Sequence, residues 1–273
     1  MTSAQAVISR IRRDLTIGAL LRAALMAAAV ACVFSGLFSG TAINGALLLM
    51  PIGAIWLLLG YRSARGSRLM ADSPLLIASG RFDEAETRID AALRSFSIFK
   101  PAKLISLHHL ALLRHAQRRW QESALLCKAL LGQRLGQLRG LSKPAMLLLA
   151  DDLLHLGDLR GVYEALLRLY HQRLNLAEAL ALLQLQLDYL ARIGAYDAML
   201  PAVGAKAQLA ELMPAGQAAR TQALLALAAM KTGRDDLSRW LRRRAELLVD
   251  PQSLIAERPN LAELWPNPAA GRA

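Results

Sequence analysis

Aromatic side chains are scarce in this chain of 273 residues, at 5 % of the total. Few aromatics means few stacking platforms for bases, so nucleic acid is not expected as a partner despite a formal net charge of +12. There are only two cysteines, Cys32 and Cys127, and they lack metal-type spacing. Cys32 also sits in a long apolar run, so a disulfide framework is excluded. No Gly-rich phosphate loop, G-x-S-x-G elbow, H-E-x-x-H or C-x-x-C occurs. Gly132, Gly136 and Gly140 come nearest to a phosphate loop, but Leu141 and Ser142 follow where Lys and then Ser or Thr are needed. No catalytic residue, cofactor or metal is therefore expected, and the chain reads as a non-enzyme.

The longest absence is of charge. From Ala23 to Tyr61, 39 positions, there is no Asp, Glu, Lys, Arg or His. That is about twice the ~20 residues that cross a bilayer as one helix. The uncharged, turn-rich patch Ser39–Gly45 divides the run, so a hairpin of two transmembrane helices over residues 15–61 is predicted. Arg22 would snorkel back to the headgroups. A signal peptide or a lipid-modified Cys32 would leave the second apolar run unexplained. Arg10, Arg12 and Arg13 precede the pair, Arg62, Arg65 and Arg68 follow it, and the turn carries no charge. Because Lys and Arg are retained on the cytoplasmic side, both termini are expected there, in a multi-pass inner-membrane protein. These six arginines are also placed to meet anionic headgroups. The first 70 residues hold seven Arg and one Asp, so half of the net charge is topology signal.

What is abundant is Ala and Leu, the best apolar helix formers, and the chain reads as all-α. Beyond the apolar run a spaced pattern recurs, first as Gly80-Arg81-Phe82-Asp83-Glu84-Ala85. It returns at Arg118, Gly157, Gly194 and Gly233, at intervals of 38, 39, 37 and 39. A large apolar residue stands two positions after four of the five starts, and a small or apolar residue three beyond that. The physical reading is a helix ending at a left-handed Gly, followed at once by a second helix. The upstream helices are Ala102–Gln117, Pro144–His155, Leu176–Ile193 and Pro214–Thr232, with prolines at or before several starts. One such pair cannot bury its apolar face alone, so successive pairs must stack.

This pattern resembles the tetratricopeptide repeat (TPR) family, through Gly80–Glu86, through Ala91 and Ala92, and through the small residues Ala111 and Ala150. It departs from the family in its longer period and in the missing Trp, Leu-Gly and Tyr signature, so a more general α-solenoid is the alternative. The layout is also similar to that of HemY-type bacterial membrane proteins, which pair a two-helix anchor with such repeats. The expected organisation is a basic segment 1–14, the hairpin 15–61, a basic juxtamembrane linker 62–68, a TPR-like solenoid of about five helix pairs over 69–248, and a Pro-rich tail or capping segment 249–273.

The resemblance implies a groove lined by the first helix of each pair. In its register His108, Leu112, His115, Asp151 and His155 face it, followed by Gln184, Asp188, Arg192, Arg220 and Lys231; Met70 and Ile77 precede them. Such a line suits a peptide, although it is also what the solvated face of amphipathic helices looks like. Asp151 and His155 share a helical face near His108 and His115, but without the close spacing of zinc motifs. Basic residues cluster from Lys100 through Lys103 and Arg114 to Lys143, and again at Arg239 and Arg242 to Arg244 beside Trp240. The expected function is a membrane-anchored scaffold that recruits a protein or peptide partner. The alternative is an accessory or assembly subunit of an integral membrane enzyme, whose hairpin packs on its partner's helices.

Overall fold

The computed structural model describes residues 4–38, 42–95, 97 and 99–265, and every regular element among them is helical. The first helices are α1 (Ala4–Phe38), α2 (Ala42–Leu69), α3 (Ser73–Ala78), α4 (Phe82–Arg94), α5 (Lys100–Ala116), α6 (Trp120–Leu131) and α7 (Ser142–Leu156). There follow α8 (Leu159–Tyr170), α9 (Leu176–Arg192), α10 (Tyr196–Met199), α11 (Val203–Ala210), α12 (Ala215–Lys231), α13 (Asp235–Leu248) and α14 (Pro251–Glu257). A 3-10 turn, Pro259–Leu264, closes the described chain. Two compact units divide at Asp152 and Leu153.

In the first unit, α1 is the one helix among the described residues long and apolar enough to cross a membrane. Leu20, Met26, Val30 and Phe34 stand exposed along it, a run that water would penalise and lipid would not. The helix starts well before the expected Leu15, and the physical reason is an apolar stripe. Ala4, Val7 and Ile11 fall at helical spacing and are buried, and α1 packs against α2, α5 and α6. Arg22 donates its Nε–H to the Gly18 carbonyl at 3.2 Å, one turn back, which draws its guanidinium toward the N-terminal end. Of the expected turn, residues 39–41 lie outside the described residues, while Ala42–Gly45 are already helical. The segment 62–68, expected as a linker, continues α2 as helix to Leu69 because nothing in it stops a helix except Gly66, a cost of only ~1 kcal/mol. The basic segment 1–14 is likewise helical from Ala4.

Five helix–turn–helix joints recur at the predicted starts, and their geometry is the same. At Gly157 the amide bonds to Leu154 O, and the next amide, of Asp158, to Leu153 O, at 3.2 and 2.9 Å. The same two bonds form at Gly80/Arg81, Arg118/Arg119, Gly194/Ala195 and Gly233/Arg234. This double closure satisfies the last carbonyls of a helix and requires a left-handed residue. The four glycines have φ between +71° and +76°, and Arg118 has φ +59°. Two further positions repeat. Five residues after each joint, Ala85, Ser123, Val162, Met199 and Ser238 are all buried. Seven before it, Ser73, Ala111, Ala150, Leu187 and Ala226 are buried too. Ser123 and Ser238 each donate to the carbonyl twelve residues back, Ala111 O at 3.0 Å and Ala226 O at 2.9 Å, pinning the second helix to the first.

The second unit is built round α12, whose run Ala223–Ala229 is completely buried. A helix apolar on every side belongs inside, and its alanines let α13 and α9 come close. The fourth joint departs from the others, because α10 has only four residues before Pro201 removes the next helical donor. Ala202 then turns left-handed at φ +53° and α11 begins. The tail joins the core: Leu254, Leu261 and Leu264 are buried in the same apolar cluster as α12.

Candidate partner-binding surfaces

Within the first unit, α5 and α7 bring His115 to a pair of carboxylates. Its Nδ1 lies 2.8 Å from Asp152 Oδ1 and its Nε2 3.5 Å from Asp151 Oδ2. The Trp120 ring meets it edge-on at 4.9 Å between centroids. Asp152 is fully buried, and burial pushes its carboxyl above the usual range while the His115 hydrogen bond pulls the other way. Asp152 was absent from the predicted groove. Its signal was available, because it stands 37 residues after His115, one repeat interval.

His108, predicted to face the groove, is instead buried at 7 % exposure, and desolvation brings its imidazole down to about 4. Met70 is buried as well, while Leu112 is half-buried. The basic surface expected around α5 is thinner than its sequence. Lys103 is enclosed and donates to Leu93 O at 2.6 Å and Ser95 O at 2.7 Å, with Asp14 Oδ2 at 3.2 Å. Burial lowers its ammonium, and Asp14 partly restores it. Arg114 is 3 % exposed and forks onto Glu86 at 3.1 and 2.8 Å, which holds the Glu86 carboxyl below the ordinary range. Cys127 is buried, and its thiol is pushed up by desolvation, which makes it inert.

Within the second unit the predicted line is met by the chain's own tail. Arg258, between α14 and the 3-10 turn, is 3 % exposed. Its Nε lies 3.2 Å from Asp188 Oδ1 and its Nη2 3.4 Å from Asp188 Oδ2. Its Nη1 reaches the His155 ring at 3.3 Å, and Arg220 bonds the same Asp188 carboxylate from α12. Lys231 pairs with Glu263 of the 3-10 turn. Arg242 donates to Leu264 O at 3.2 Å, and Trp265 donates its indole N–H to Glu246 at 2.6 Å. So His155, Asp188 and Arg220, which the register lined along a groove, meet round an internal arginine. Gln184 is buried at 9 %, and Arg192 stands exposed on α9.

The apolar outer helices hold a second concavity. A groove of about 520 Å3 between α1 and α2 is lined by Leu25, Ala29, Leu49, Ile52, Gly53 and Trp56. Among the described residues no three His, Cys, Asp or Glu side chains form a group that could hold a metal ion. No family model matches the chain, and no curated protein or solved structure matches it either.

Proposed function

We propose that the chain is a membrane-anchored, TPR-like helical scaffold that recruits a protein or peptide partner at the cytoplasmic face of the bacterial inner membrane. In this reading residues 15–61 cross the bilayer as a hairpin and both termini remain in the cytoplasm. One observation carries it. The same helix, α1, is apolar enough to span a membrane along most of its length, yet buries Ala4, Val7 and Ile11 where it packs on the helical body. A helix used in both ways holds the body directly at the membrane surface.

The partner surface is assigned to the first unit, around Leu112, His115 and Asp151, which are half-exposed. The corresponding line in the second unit is engaged by Arg258 and Glu263. A photo-crosslinker at position 112 of the full chain should capture a defined partner in cells. One at the exposed position Glu164 should not, and equal capture from both sinks the assignment. A reporter fused after residue 70 should be active in the cytoplasm; activity confined to the periplasm rejects the topology.

The accessory-subunit reading is favoured by the groove between α1 and α2, where Ala29 and Gly53 leave room for a third helix. Purification in mild detergent separates the two readings. Stoichiometric integral membrane partners favour the subunit, and soluble partners favour the scaffold.

A further inference from the structure

A cleft of about 200 Å3 opens between the start of α1 and the end of α4, lined by Val7, Arg10, Ile11, Asp90, Leu93 and Arg94 among others. We infer that it binds one anionic phospholipid headgroup, with the phosphate between the Arg10 and Arg94 guanidinium groups. The inference rests on the membrane reading of α1 and adds a residue, Arg94, that flanking-charge rules do not find.

Depth comes first. Arg10 precedes Leu15, the expected start of the span, by five residues. At 1.5 Å per residue it lies roughly 8 Å outside the hydrocarbon, within the polar layer that makes a bilayer ~40–45 Å thick round a ~30 Å core. A cleft on that part of α1 is at the level of phosphates. Its composition fits a lipid better than a free anion. Val7, Ile11 and Leu93 give it an apolar floor against which a glycerol backbone can lie, while the two guanidinium groups supply planar donors to phosphate.

The cleft borders the C-terminal end of α4, where open carbonyls would repel a phosphate. Three of the last four carbonyls of α4 are taken, and so is that of Ser95 just beyond them. Ser95 bonds Ala91 O through its amide at 3.0 Å and Ala92 O through its hydroxyl at 2.7 Å. The buried Lys103 ammonium takes Leu93 O and Ser95 O. Arg10, Arg94 and Lys103 then outweigh Asp14 and Asp90. Asp90 holds Arg94 at 3.4 Å, one turn back on α4. Arg94 is exposed, Asp90 is half-buried and the contact is long, so the pair is weak and a phosphate can share Arg94 with it.

Native mass spectrometry of the full chain tests the site, in micelles supplied with equal phosphatidylglycerol and phosphatidylcholine. One phosphatidylglycerol should be retained in preference. Arg10→Gln with Arg94→Gln should cut that retention by about tenfold or more, since each basic group near a lipid surface contributes roughly fivefold in affinity. Both heads are exposed, so helix content should be unchanged. Asp90→Asn should increase retention. Arg160→Gln with Arg168→Gln, exposed on α8 and outside the cleft lining, should leave it as it was. The site is overturned if the cleft variant retains the lipid, if the Arg160/Arg168 control loses as much, or if inorganic phosphate displaces it. Release of the wild-type chain from membranes by alkaline carbonate overturns both the anchor and the site. Intact anchoring with no lipid preference overturns the site alone.

Discussion

At the scale of single residues, the interior is held by a few enclosed charges whose loss has a definite sign. Asp188 is 3 % exposed and shared by Arg258 and Arg220. Arg258→Ala removes one of its two cations and leaves a space under the tail, and should cost about 2–4 kcal/mol in urea unfolding. Lys231→Ala, at the solvent edge, should leave the midpoint where it was. His108 gives a pH dependence. Its Nδ1 is buried and has no hydrogen-bond partner among the described residues, and desolvation lowers the imidazole from 6.5 to about 4. Between those values the unfolded chain takes up a proton that the folded chain refuses, so stability is present above pH 6.5 and lost as pH falls toward 4. The loss should approach about 3 kcal/mol, and His108→Leu should flatten it.

At the scale of elements, the joints decide where helices stop. Gly157→Ala should cost about 1 kcal/mol, because an alanine has no easy access to φ +76°. Arg118 already bears that strain at φ +59°, so Arg118→Gly should stabilise by about 0.5–1 kcal/mol in thermal unfolding. These joints were legible in the sequence because glycine is the residue that a left-handed position selects, and four of five carry it. Arg118 was found only through the interval. The shortness of α10 could have been read from Pro201. The stripe Ala4, Val7 and Ile11 could also have been read, but the arginines among it draw attention to charge instead. The enclosed pairs were not legible. Lys103 with Asp14 and Arg258 with Asp188 join residues far apart in the chain, with no period to connect them, and a buried cation has the same letter as a solvated one.

At the scale of the whole molecule, α1 and α2 both run from the apolar region into the helical body as helix, with no loose segment between. Each therefore has a phase as well as a length. One alanine inserted after Gly18 turns everything beyond it by about 100° and lifts it by about 1.5 Å. The apolar surface that faces α2 would then point elsewhere, and the unfolding midpoint should fall. Seven residues inserted at the same place come back to within about 20° of the original face and should be tolerated better, even though the helix grows by about two turns. Equal losses from both insertions would mean that length matters and phase does not. If phase matters, the anchor proposed above would act as a keyed shaft. On that proposal, a partner twisting the body would twist the helices in the lipid with it, and a change in membrane thickness or tilt would be felt at the partner's end.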